Sequence, residues 1–504
     1  MNQITIHLEK EVDGNMDAFD YLEHLANQSL LLLIKVVLIA LPFVIIFLLL
    51  KRKAKLGSLK LATRKHACGI IFGVILTWTG PKVVYSPIND EGSCIIWGTS
   101  GTGKTSAILI NTMNSISGVA TTFCIDISGD IESKVYIKNK IVFGPNAENS
   151  AAYNVFAPVD KIYRNKNLPS EERINRTIEQ IEKLANQIIP EMGPDDGDGA
   201  VVFYNNGGHD ILLASLLAGY FSKLDFVDIC LKIHKNNWKQ LFSWIDDSGI
   251  TEASDLLGQF EKVNEENTGG CMSKAKTAIK TFISYSARRF LHRPHENELC
   301  YTPNKLETNS VFYIVNDGND FKLYAPLTKL VISQTMEYLE NRKVSKDTHM
   351  ILMALDEYSS LNMADETSAA AKKYRKKRVR LLICTQSIAD MDLMTRAGNT
   401  QSKATIDNFP FRMVLGAQDP DSQTYFARCV GKHDVYYKDS QGNTSKPVKE
   451  YWIEPEYFGR LDKHLVLIHP KGHMVLGKNY HYKWMIEIII GSILDFSIFK
   501  WGMH

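Results

Sequence analysis

Gly98-Thr99-Ser100-Gly101-Thr102-Gly103-Lys104-Thr105, followed by Ser106, is the stretch from which the rest of this chain is read. It fits the Gly-x-x-x-x-Gly-Lys-Ser/Thr pattern completely. An apolar run, Ser93–Trp97 (SCIIW), precedes it, and a segment of helical character, Thr105–Ile116, follows. Phosphate binding requires this layout. Glycines let successive backbone N–H groups turn inward around phosphate oxygens. A helix that starts beside Gly103 aims its positive end at the same charge. Lys104 reaches the β- and γ-phosphates, and the Thr105 hydroxyl is offered to Mg2+. The spacing predicts a nucleotide cradle over residues 98–106, with ATP and Mg2+ as its ligands.

Three further segments bear on that site. Ile351–Glu357 (ILMALDE) reads as a buried strand ending in two acids. Asp356 is placed to hold Mg2+, and Glu357 to act as the base that polarises the attacking water. Leu381–Gln386 (LLICTQ) is a second apolar run, and Gln386 at its end fits a group that senses the γ-phosphate. Between them runs Lys372-Lys373-Tyr374-Arg375-Lys376-Lys377-Arg378-Val379-Arg380. It reads as a solvated helix end, as a contact for nucleic-acid phosphates, or as the carrier of an arginine finger at Arg375. Because it directly precedes the Gln386 strand, it is expected near the nucleotide edge of the sheet.

Working outward, residues 85–160 alternate short apolar runs with turns and a helix, adding strands at Thr121–Ile127 and Ile141–Phe143. That alternation predicts an α/β domain with a parallel sheet covered on both faces. Residues 161–304 change character. Helices are expected at Leu168–Ile189, His209–Leu224, Val227–Ile245 and Ser273–Leu291, a loop at Gly193–Gly199, and no strand, so this is an all-α insertion. The α/β pattern resumes over 305–483. Strands are expected at Ser310–Val315, His349–Leu355, Arg380–Thr385, Phe411–Leu415, Leu465–His469 and near Met474–Leu476, with a helix at Pro326–Arg342.

The N-terminal part adds a membrane segment. Ser29–Leu50 is apolar apart from Lys35, long enough to cross a bilayer of roughly 30 Å. Acidic residues dominate 1–28, whereas Lys51, Arg52, Lys53 and Lys55 follow the span, so the positive-inside rule faces the first 28 residues outward and the bulk inward. Residues 51–84 form a basic linker and a first strand at Gly69–Trp78. The tail, 484–504, is apolar but short for a span, and reads as a packing or interfacial helix. Net charge is only +2 and names no partner. The eight cysteines form no Cys-x-x-Cys pair, which predicts buried, reduced thiols and no zinc cluster built on cysteine.

In order and spacing these segments resemble the conjugative coupling proteins of type IV secretion systems. The likeness covers GSLKLAT (Gly57–Thr63), the P-loop, CIDISGD (Cys124–Asp130) and VFGPNAENSAAYNVFAPV (Val142–Val159). It continues through MALDEYSSL (Met353–Leu361), ICTQS (Ile383–Ser387) and DPDSQTYFARCVG (Asp419–Gly431). Ser128 and Asp130 replace the family's usual Lys and Glu, so that motif is given no catalytic role. The resemblance implies a RecA-like P-loop NTPase domain carrying an inserted all-α domain, behind an N-terminal transmembrane helix in the bacterial inner membrane. It further implies a hexamer whose ATP sites lie between subunits, with Arg375 at the position of the family's finger. The expected function is delivery of relaxase-bound DNA to a secretion channel. Delivery of protein effectors, and a septal-type DNA translocase, stand as the other readings.

Overall fold

The structure is a computed structural model. It describes residues 59–482 apart from 60, 65–66, 78–79, 91, 316–317, 359–362, 394–404 and 438–445, together with Leu31 and Lys35. The expected membrane span at 29–50 and the tail at 484–504 lie outside the described residues, except that Leu31 and Lys35 are helical. Among the described residues no helix is long and apolar enough to cross a membrane.

Sixteen strands follow one another among the described residues. The first six are β1 Ala62–Arg64, β2 Gly69–Thr77, β3 Gly80–Pro87, β4 Cys94–Trp97, β5 Ala120–Asp126 and β6 Lys140–Phe143. Next come β7 Ala152–Tyr153, β8 Cys300–Tyr301, β9 Ser310–Ile314, β10 Met350–Leu355 and β11 Val379–Thr385. The last are β12 Phe411–Val414, β13 Lys432–Val435, β14 Val448–Tyr451, β15 His464–His469 and β16 Gly472–Gly477. Twelve form one sheet in the order β1-β3-β2-β16-β15-β12-β4-β11-β10-β5-β9-β6. From β12 to β6 the neighbours are parallel. From β15 to β1 they are antiparallel.

The parallel strands are apolar throughout because both of their faces are covered. Alternate residues go to opposite faces. Ile95, Trp97, Met353, Leu355, Leu381 and Ile383 join the larger core, which is continuous with the helical insertion. Cys94, Ile96, Leu352, Ala354, Leu382 and Cys384 join the other, beneath the helix that follows the P-loop. Among the described residues the cysteines are unpaired; Cys94, Cys124, Cys230, Cys271 and Cys384 are buried, and Cys68, Cys300 and Cys429 are half-buried.

The insertion is helical from Ala157 to Arg288 and is closed at its neck by the parallel pair β7–β8. A polar cluster supports that neck. Asp160 accepts from Asn154 (3.0 Å) and Tyr220 (2.9 Å), and Arg293 lies 3.6 Å from the same carboxylate while bonding Asp225 at 2.8 Å.

Several boundaries differ from the sequence reading, each for a physical reason. The helix expected from His209 runs Gly199–Phe221. Its glycines 207 and 208 argue against helix by propensity. They sit where the helix Glu265–Ile279 crosses, and a Cβ on Gly207 would come within 2.4 Å of Cys271 Sγ. Close packing, not local preference, holds that turn. The segment 227–245 is two helices, Phe226–Lys235 and Trp238–Asp247, because Asn237 and Gln240 form a reciprocal capping box that starts the second. The expected helix from Ser273 to Leu291 begins at Glu265 under an Asn264 cap and ends at Ile279. The short strands β7, β8, β13 and β14 were not expected, nor was β3, whose ends carry Pro81 and Pro87.

Arg380, the last cation of the basic run, is a structural residue. It is 1% exposed. Its guanidinium bonds Gly92 O (2.7 Å), Pro87 O (2.7 Å) and Ser86 Oγ (3.0 Å), tying the end of β3 to the start of β11. Burial pulls its pKa down to about 10, still cationic at neutral pH. Arg380→Met would orphan those carbonyls, and is expected to lower unfolding free energy by about 3 kcal/mol in urea titration. An unchanged midpoint would show that the tie is dispensable.

Candidate nucleotide site

Parallel strands carry their C-terminal ends to one edge of a sheet, where ligands bind in open α/β folds. Here Trp97 pairs with Thr385, and Leu355 with Ile383. Gly98, Asp356 and Gln386, each the residue after a strand, therefore share one edge. Gly98 N–H donates to Thr385 O at 3.1 Å and fastens the loop to β11.

The loop needs its glycines. Gly101 and Gly103 adopt φ of 78° and 96°, the left-handed region that side chains resist. A Cβ on Gly98 would lie 2.4 Å from Thr102 Oγ1. Thr102 Oγ1 itself bonds Thr99 O at 2.8 Å, closing the turn. The helix behind the loop opens with wide π-type turns over Lys104–Leu109 and becomes regular over Ile110–Ile116.

Lys104 is 8% exposed, and its ammonium bonds Gly98 O (2.6 Å) and Thr99 O (3.2 Å). These carbonyls are partners that a phosphate oxygen can replace. Thr105 Oγ1 donates to Asp356 Oδ2 at 3.1 Å, joining residues 251 positions apart. Burial pushes the Asp356 carboxyl above the usual range. Lys104 and the Thr105 bond pull it back, and Glu357 pushes it further up. A hydroxyl and a buried carboxylate with that bias form a donor set suited to Mg2+, whose charge would reverse the bias. Glu357 is half-buried with φ 46°, a left-handed conformation that costs a non-glycine residue about 1 kcal/mol. Its backbone N–H donates to Asp356 Oδ1 at 3.1 Å. Gln386 is exposed at the same edge.

Arg375 is placed differently from expectation. It is exposed, just before β11 begins, whereas the nucleotide edge lies where β11 ends. Seven residues of strand separate the two edges by about 20 Å. The basic run therefore lies away from this chain's own P-loop, because a strand delivers what precedes it to the opposite side of the sheet. The run also divides: Lys373 pairs with Glu340 (2.9 Å), Lys377 bonds Arg342 O (3.0 Å), and Arg380 is buried.

In CIDISGD, Asp126 is fully buried. It accepts backbone N–H bonds from Gly129, Ile131 and Glu132 at 2.8–2.9 Å. Its bonds shape the turn after β5.

One element was missed. Residues after β16 fold over the P-loop helix. His481 N–H donates to Ser106 O at 3.1 Å, Asn111 bonds Asn479 O, and Tyr480 lies so close that a Cβ on Gly103 would meet its ring at 2.9 Å. No local pattern in NYHY signals this, since the partners stand more than 360 positions apart.

A family model described as type IV secretion-system coupling protein DNA-binding domain matches residues 78–447. Among solved structures, the bacterial conjugative coupling protein TrwB, in an unbound form, is similar at TM-score 0.61 and 14% identity, over 78% of this chain and 87% of that one. The same plasmid coupling protein in complex with ADP and Mg2+ is similar at TM-score 0.63 and 15% identity, over 84% and 91%. Its complex with a non-hydrolysable GTP analogue gives 0.60 and 15%, over 78% and 88%. At such identities the likeness shows the fold: a mixed α/β RecA-type domain with a helical insertion. No curated protein sequence matches the chain.

Asp356 supplies a prediction whose sign follows from its environment. A carboxyl raised above its unfolded pKa favours folding below the unfolded value and opposes it once ionised, as pH rises through the folded value. At neutral pH Asp356→Asn should raise the melting temperature of the nucleotide-free protein, and should remove the extra stabilisation that Mg2+ gives with ATP. Both are read by thermal shift with and without Mg2+.

Proposed function

The chain belongs to the type IV secretion-system coupling-protein family, and from that premise we propose that it is an ATP-hydrolysing motor that passes DNA to a secretion channel. The observation that carries this reading is the convergence of Lys104, Thr105, Asp356 and Glu357 at one sheet edge, sealed by the 3.1 Å Thr105–Asp356 bond. The DNA cargo rests on the family's DNA-binding domain, which spans most of the chain.

Each residue has a part in hydrolysis. The loop N–H groups over 98–106 hold the phosphates. Lys104 exchanges the Gly98 and Thr99 carbonyls for β- and γ-phosphate oxygens. Thr105 and Asp356 hold Mg2+, which when bound neutralises charge on the leaving phosphate oxygens. Glu357 orients the attacking water and accepts its proton. Gln386 meets the γ-phosphate and relays its loss to β11. Arg375, remote from its own loop, acts on the ATP of a neighbouring copy, so hydrolysis takes place in a ring, a hexamer on the family's pattern. On this reading the insertion over 161–304 and the exposed cations of the basic run would contact the cargo, a relaxase-bound strand. Residues 29–50 anchor the motor beside the channel in the inner membrane.

Lys104→Ala should reduce ATP turnover by at least about 100-fold with an unchanged melting profile; undiminished turnover would remove the motor assignment. Arg375→Ala should be inactive alone yet regain turnover when mixed with Lys104→Ala protomers, because mixed interfaces pair an intact loop with an intact arginine. No recovery would return Arg375 to the role of a plain surface charge or a DNA contact. DNA affinity of the assembled protein should fall steeply with salt. No binding at low salt would favour protein effectors as cargo.

A further inference from the structure

Within the insertion, three side chains remote from the nucleotide edge converge without a role in the motor. Helix Gly199–Phe221 lays Asn205, Asn206 and His209 against the segment that follows helix Ser170–Ile188. Asn205 Nδ2 donates to Pro190 O (2.7 Å), and Asn206 bonds Met192 through both N–H (2.9 Å) and O (2.9 Å). His209 Nδ1 lies 2.8 Å from Ile189 O. A carbonyl only accepts, so Nδ1 carries the proton and donates.

That bond turns the other ring nitrogen away from the backbone. His209 is fully buried, and its Nε2 has no hydrogen-bond partner. Nε2 faces the Glu191 carboxylate at 3.7 Å, and the ligand atoms of Glu191, His209 and Asp210 all lie within 4.8 Å of one another. In a tetrahedral zinc site, ligand atoms about 2.1 Å from the metal lie roughly 3.4 Å apart. Glu191, whose side chain is 59% exposed, has room to shift toward that spacing. The outer contacts suit a metal as well. Metal-bound histidines donate their second N–H to a carbonyl or carboxylate, and ligating carboxylates are themselves hydrogen-bonded. His209 has Ile189 O, and Asp210 Oδ2 accepts from Gln259 at 2.8 Å.

We infer that His209 Nε2, Glu191 and Asp210 form a site for a divalent transition metal of the zinc class, completed by water, which clasps the 189–192 segment to helix Gly199–Phe221. One imidazole and two carboxylates suit Zn2+, Co2+ or Mn2+. A second cluster, His292, His295 and Glu298, lacks the decisive feature. Glu298 there already accepts from His292 (3.0 and 3.1 Å) and from His295 N (2.9 Å).

The test uses the full chain without nucleotide, with His292 and His295 both changed to alanine so that only the first cluster is measured. After chelator treatment the protein is dialysed against Zn2+ and its metal content measured. Co2+ absorption in the visible provides a second readout. The expected result is about one equivalent of zinc and a raised melting temperature. Glu191→Gln and Asp210→Asn, both at partly open positions, should each weaken binding by at least about tenfold and abolish the thermal shift. Substoichiometric zinc in the parent, or equal affinity in parent and both variants, would overturn the site and leave His209 as a packing residue of the helix. ATP turnover is not part of the readout, so failure here leaves the motor reading intact.

Discussion

The parallel pairing of β4, β11 and β10 is the constraint on which the rest of this molecule depends. It brings the ends of three apolar runs, far apart in the chain, to neighbouring places at one edge. There the Thr105 hydroxyl meets the Asp356 carboxylate at 3.1 Å. Each of these strands is buried on both faces, so their register is held by two cores. A slip of one residue would exchange the inward and outward sets and separate the loop from the acids.

Function is kept at the expense of local comfort. Asp356 is a buried carboxyl whose burial outweighs the pull of Lys104, and Glu357, not a glycine, occupies a left-handed backbone conformation. Strain of this kind persists where surrounding structure over-determines it. The surroundings here are the sheet on one side and the 479–482 segment on the other, which covers the P-loop helix through His481 and Tyr480. Coupling between the loop and the end of β16 gives the antiparallel wing a direct hold on the nucleotide helix.

The helical insertion is organised by a different device. Glycines 207 and 208 and Gly270 allow two helices to approach closely, with Cys271 and Tyr204 in the space a Cβ would need. Polar side chains on the same helix then grip the neighbouring backbone. The neck joins this body to the sheet through β7–β8 and the Asp160–Arg293 cluster, so the two parts share one continuous core.

The sequence by itself determined the P-loop, the acid pair, the order of the parallel strands' apolar runs and the presence of a helical insertion. Those signals are local: a fixed spacing in 98–105, and uninterrupted apolar runs that only a strand covered on both sides would carry. Tertiary structure alone decided the rest. Helix Gly199–Phe221 runs on through Gly207 and Gly208 because close packing across those glycines holds the turn. Arg375 went to the far edge because strand direction, not sequence proximity, sets position. Tyr480 and His481 reached the nucleotide helix, and Glu191 met the adjacent pair His209–Asp210, because folding brings together side chains whose own neighbours in the chain hold no trace of the contact.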